Sequence, residues 1–132
     1  MTTVGEGTLE LFNAIKLGKT KRWAVFKITK THEIVEESSG DRKEEYDSFV
    51  RRLPGSNCRF AIYDLEFRTA SDKRATSKVF FFMWTPENAN DLDRVAYTQA
   101  LVGFREKCPG TFYVQVETKE EVADHLQLEC RE

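Results

Sequence analysis

The apolar positions of the chain change period several times, and each change marks an element. Leu9, Phe12 and Ile15, with Leu11, recur at three-to-four spacing and predict a short amphipathic helix ending near Gly18. Residues 23–28 set large apolar side chains (Trp23, Val25, Phe26, Ile28) among smaller or charged ones, and Ile34 and Val35 follow a polar Thr-Lys-Thr-His-Glu turn, which predicts a hairpin. Residues 38–45 are polar and acidic. Tyr46, Phe49, Val50 and Leu53 then return to helical spacing until Pro54-Gly55 stops them.

Residues 58–67 and 78–84 are rich in aromatic and branched side chains. The second run is almost continuously apolar, as a strand covered on both faces should be. Between them, residues 68–77 are polar and suit an exposed loop or a long hairpin tip. Residues 90–107 carry Tyr97, Leu101, Phe104 and Cys108 at i, i+4, i+7 and i+11 before Pro109-Gly110, which predicts a long helix. Residues 112–116 read as a last strand and 119–128 as a closing helix. This order predicts an α+β (α/β) sandwich: a mixed central sheet flanked by helices.

With 132 residues, one domain spanning 1–132 is expected. Apolar residues at 40% and aromatics at 12% supply an ample core. A net charge of −2 offers no general attraction to nucleic acid or to an anionic membrane. The basic groups Lys19-Lys21-Arg22, Arg51-Arg52 and Lys73-Arg74 with Lys78 are dispersed, and suit an acidic protein partner better than a nucleic acid. The start of the chain has no leader pattern, and no run of about 18 apolar residues occurs anywhere, so a soluble, unsecreted protein is expected.

Chemistry is scarce. Cys58, Cys108 and Cys130 lack Cys-x-x-Cys spacing, and His32 and His125 stand apart from other ligand types, so neither a metal nor a cofactor is expected. Gly-rich phosphate loops and Gly-x-Ser-x-Gly are absent. Cys58 falls in an apolar strand, where a thiol is buried and inert. Glu36-Glu37, Glu44-Glu45 and Glu120-Glu121 read as solvated faces. Asp91 and Asp93 suit the first turn of the long helix, and Trp23 and Trp84 suit the core. The residues by themselves describe a binding module without an active site, not an enzyme.

Several blocks together resemble the actin-depolymerising factor/cofilin family. Phe12-Asn13-Ala14-Ile15-Lys16-Leu17-Gly18-Lys19 is similar to its first helix and the following turn, and Tyr46-Asp47-Ser48-Phe49 with Leu53-Pro54 to its second helix. Cys58-Arg59-Phe60-Ala61-Ile62-Tyr63-Asp64-Leu65-Glu66-Phe67 resembles the central strand. Ser77-Lys78-Val79-Phe80-Phe81-Phe82-Met83-Trp84-Thr85-Pro86-Glu87 resembles the strand after it. Arg94-Val95-Ala96-Tyr97-Thr98 falls on the basic motif of the long helix, so the blocks span about residues 8 to 98 in the family's order.

The resemblance implies an ADF-homology fold and a cytoplasmic, monomeric protein of the actin cytoskeleton. Such a protein binds actin monomers and filaments, severs and depolymerises filaments, and breaks no covalent bond. It implies a monomer face made of the N-terminal Thr3 and Val4 and the long-helix residues Leu92, Arg94, Val95, Leu101, Val102 and Arg105. It also implies a filament face at Lys73, Arg74 and Lys78. Phosphoinositides are a further candidate partner.

Departures from the pattern are informative. No serine follows Met1, so Thr2 and Thr3 are the nearest hydroxyls to the family's regulatory position. Leu92 occupies a position usually basic, Val95 replaces a Met, and Gln99-Ala100-Leu101-Val102-Gly103 stands where the family has Ser-Ser-Lys-Asp-Ala. Leu101 also fits a core stripe with Tyr97 and Phe104. The lost charges keep a second expectation open: an ADF-homology adaptor with weakened severing that binds another target, such as an actin-related branch-nucleating complex.

Overall fold

The structure is a computed structural model that describes residues 2–44, 46–68 and 75–130. Among the described residues six strands and four helices follow in the order β1 (Thr3–Val4), α1 (Glu6–Lys16), β2 (Lys21–Ile28), β3 (Glu33–Asp41), α2 (Tyr46–Arg51), β4 (Arg59–Arg68), β5 (Ala75–Trp84), α3 (Asp91–Glu106), β6 (Phe112–Val116) and α4 (Lys119–Cys130). The strands form one mixed sheet in the order β1-β3-β2-β4-β5-β6. The β1–β3 and β5–β6 pairs are parallel and the three central pairings antiparallel.

Each sheet face has its own apolar layer. On one, Phe26, Phe60, Ile62, Phe81 and Met83 pack against Leu11, Phe12 and Ile15 of α1 and Tyr97, Ala100 and Phe104 of α3. On the other, Trp23, Val25, Tyr63, Phe80 and Phe82 meet Phe49 of α2 and Val122 and Leu126 of α4. Residues 79–84 are buried without a break, because β5 lies between β4 and β6 with helices over both faces. Phe26, Phe60 and Phe81 all meet Phe104 near 5.3 Å with steeply tilted rings, so this one α3 residue anchors the helix to three neighbouring strands. Trp23 and Trp84 are both core residues, and the Trp84 indole donates to the Pro54 carbonyl at 2.6 Å.

The observed elements differ from the sequence expectation in two places. Thr3–Val4 forms an additional edge strand, held by the Thr3 N–H on the His32 carbonyl and the Gly5 N–H on the Ile34 carbonyl. β3 continues through the polar stretch to Asp41, carried by backbone bonds to β2 across two register shifts that disrupt the period-2 signal. Gly40 is needed there: a β-carbon would lie 2.3 Å from Nε1 of the Trp23 indole that covers it. Of the polar stretch 68–77, expected to be an exposed loop or a long hairpin tip, Arg68 ends β4 and residues 75–77 begin β5, and residues 69–74 lie outside the described residues.

Candidate protein-binding face

Helix α3 starts at Asn90, whose side chain accepts the Asp93 N–H at 2.7 Å, with Asp91 and Asp93 in the first turn against the positive end of the helix. Asp93 does more than cap: its Oδ2 accepts the Cys58 backbone N–H at 2.6 Å, fixing the helix start to the entry of β4. Tyr97, Ala100 and Phe104 form the buried stripe. On the outer side Leu92, Val95 and Val102 stand at i, i+3 and i+10, with 85%, 51% and 66% of their surface exposed. At about 1.5 Å rise per residue this apolar line is about 15 Å long. This row of solvent-facing branched side chains lies on a helix already anchored on its other side, which makes it the candidate interaction surface.

Arg94, Leu101 and Arg105 flank that line. Arg94 is half-buried and spends two nitrogens inside the chain, Nη2 on the Pro86 carbonyl at 2.6 Å and Nε on the Ala89 carbonyl at 3.4 Å, so it also shapes the loop before the helix. Arg105 is exposed and stacks over the Tyr113 ring at 4.3 Å. Leu101 is half-buried and packs on the core, as its stripe with Tyr97 and Phe104 suggested. Val4 of β1 packs on the same core cluster, and Thr3 is exposed beside it.

Lys78 lies on the opposite side of the sheet, sharing its strand face with Phe80, which belongs to the α2 and α4 layer. Its Nζ sits 3.7 Å over the Phe112 ring, and Phe112 is itself half exposed. The structure therefore separates the expected residues into two groups, α3 with β1 and Lys78 with β6. Lys73 and Arg74 lie outside the described residues. Phe112 was not singled out by sequence, since its place beside Lys78 depends on the parallel β5–β6 register.

Reactive groups are quiet. Burial, reinforced by the Asp93 carboxylate, pushes the Cys58 thiol up to about 11, and burial pushes Cys108 to about 12, so neither is a thiolate near neutral pH. Among the described residues no group of three or more His, Cys, Asp or Glu could hold a metal ion, and no helix is long and apolar enough to cross a membrane.

The family described as cofilin/tropomyosin-type actin-binding protein matches residues 1–130. A cofilin of Yarrowia lipolytica is 34% identical over 122 residues, covering 86% of this chain and 78% of its own length. Actin-depolymerizing factor 4 of Oryza sativa is 32% identical over 120 residues, covering 90% and 84%. The crystal structure of Streptomyces griseoflavus cofilin superimposes with a TM-score of 0.86 at 30% identity, over 98% of this chain and 96% of that one.

Proposed function

The chain belongs to the cofilin/actin-depolymerising factor family of actin-binding proteins, and we propose on that footing that it binds actin monomers through α3 and grips filaments through a second surface around Lys78. The observation that carries the reading is the exposed apolar line Leu92-Val95-Val102 with the cations Arg94 and Arg105 along one side of it. A helix laid into an apolar groove takes its affinity from such a line and its register from flanking charges. Thr3 and Val4 extend this face.

With Lys78 on the other sheet face, one molecule can touch two successive filament subunits. Binding energy that is larger for a twisted or loosened subunit pair than for the regular one shifts filaments toward that state, which is how binding alone promotes severing and depolymerisation. The protein does this as a monomer in the cytoplasm, and no covalent step is required.

Pelleting with filamentous actin beside a fluorescence titration of actin monomer tests the reading. Binding to both, with filament shortening, is expected; binding to neither overturns it. The second reading, an adaptor for an actin-related branch-nucleating complex, is favoured by the apolar Leu92 and Val102 where the family carries charge. It predicts a protein that stays in the supernatant with bare filaments.

A further inference from the structure

The β4–β5 hairpin outruns its neighbours. β2 pairs with β4 through residues 60–63 and β6 with β5 through residues 80–84, while β4 and β5 stay paired with each other from Arg59 and Trp84 out to Arg68 and Ala75. Residues 64–68 and 75–79 therefore form a two-stranded arm to which, among the described residues, no further strand is paired on either side. A two-stranded ribbon has little stability or fixed direction of its own.

At the root of this arm sits Asp64, a carboxylate with 0% of its side chain exposed. Its Oδ2 receives Lys19 Nζ from the α1–β2 turn at 2.8 Å and Arg42 Nη1 from the β3–α2 turn at 3.0 Å. Lys19 also donates to Ser77 Oγ at 3.2 Å, so one ammonium group touches both strands of the arm. Its backbone has φ 55, a left-handed conformation that a lysine seldom adopts. Two residues further out, Glu66 takes Arg22 at 2.8 Å and also Arg42. Arg22 donates in addition to the Asp64 and Arg42 carbonyls at 3.4 and 3.2 Å. Two turns and β2 thus converge on two residues of one strand.

Stability does not account for this arrangement. Removing a carboxylate from water costs about as much as the ion pair returns, and among the described residues Asp64 Oδ1 is buried with no hydrogen-bond partner. What such a cluster supplies is a defined geometry. We propose that Asp64 is a positioning residue: with Lys19 and Arg42 it mounts the β4–β5 arm on the body of the domain, fixing the direction in which the arm and Lys78, paired opposite Leu65 within it, meet the filament. The mount makes no described hydrogen bond or ion pair to α3, so the monomer face is independent of it. This inference rests on the two-surface actin reading given above.

Hydrogen exchange on the protein alone, followed by actin binding, tests it with Asp64→Asn and with Lys19→Met, whose altered head group lies at the surface and leaves the core intact. In both variants, amides of residues 65–68 and 76–79 should exchange about ten-fold faster or more, while those of 60–62 and 81–83 keep their rates. Filament affinity should fall about five-fold or more, with monomer affinity unchanged within about two-fold. Unchanged arm exchange in both variants overturns the mount, and parallel losses for monomer and filament overturn its role in filament binding. A wild-type chain that binds neither form of actin overturns the actin reading instead, and the exchange rates still decide the mount.

Discussion

The Tyr97 hydroxyl accepts the backbone N–H of Ile28 at 3.0 Å, joining the middle of α3 to the last residue of β2 across 69 positions of sequence. The ring itself is buried against Phe60, and burial raises the hydroxyl's pKa. Tyr97→Phe keeps the ring and removes the hydroxyl, with its bond to Ile28 and its contact with Arg59. It should cost about 1 kcal/mol of stability in urea unfolding and leave actin affinity unchanged, because the hydroxyl faces inward. A variant as stable as the wild type would show that water replaces the hydroxyl on Ile28.

The exposed line on α3 gives a cleaner separation of folding from binding. Leu92 and Val95 face solvent on the outer side of α3, so Leu92→Asp and Val95→Asp should shift stability by no more than about 0.5 kcal/mol. If this line enters an apolar groove, each should weaken actin monomer binding about ten-fold, since a desolvated carboxylate replaces an apolar contact. Titration of labelled monomer measures this, and unchanged affinity in both variants would remove α3 from the interface.

Arg94→Ala should lower actin affinity by about 1 kcal/mol or more and also lower the melting temperature. Its bonds to the Pro86 and Ala89 carbonyls inside the chain add the second effect to the loss of a cation from the face. Val95, one position along, makes no comparable bond, so comparison of Arg94→Ala with Val95→Asp separates loss of loop shape from loss of the face. Affinity that survives in a folded Arg94→Ala protein would confine Arg94 to the loop.

How much of this was legible before the structure depends on the range of the interactions. The apolar runs of β4 and β5 and the three-to-four spacing of α1, α2 and α3 are local signals, and the elements stand where those signals put them. β1 and the outer half of β3 carry no such signal: two residues and a Ser-Ser-Gly stretch become strand because a neighbour supplies the hydrogen bonds. Arg94, Val95 and Arg105 were singled out as candidates by their resemblance to positions on the family's long helix. Asp64 and Phe112 were not, because one owes its role to cations 45 and 22 residues away and the other to strand register.

Lys78→Ala should spare monomer binding and weaken pelleting with filaments. The same change removes the cation from above the Phe112 ring, worth about 0.5–1 kcal/mol at an exposed site, so a small loss of stability should accompany it. Lys78→Arg keeps the charge and the ring contact and should restore most filament binding. Equal loss for monomer and filament would contradict a division of labour between the two sheet faces.

Alkaline pH should destabilise the fold earlier than its ion pairs require. Cys58 rises from an ordinary 9.0 to about 11 and Cys108 to about 12, both chiefly because burial disfavours the thiolate, and Tyr46 rises from 10.0 to about 12 for the same reason. A raised folded-state pKa means the native protein holds its proton where the unfolded chain has released it. The stabilisation from the two thiols is therefore complete below pH 9 and drains away between 9 and about 12, and that from Tyr46 between 10 and about 12. Urea midpoints measured from pH 8 to 11 should fall with pH. Replacing both cysteines by Ala should flatten that fall while lowering the midpoint at pH 8 through lost packing. A slope unaltered by the double replacement would mean that the thiols open to solvent without unfolding of the domain.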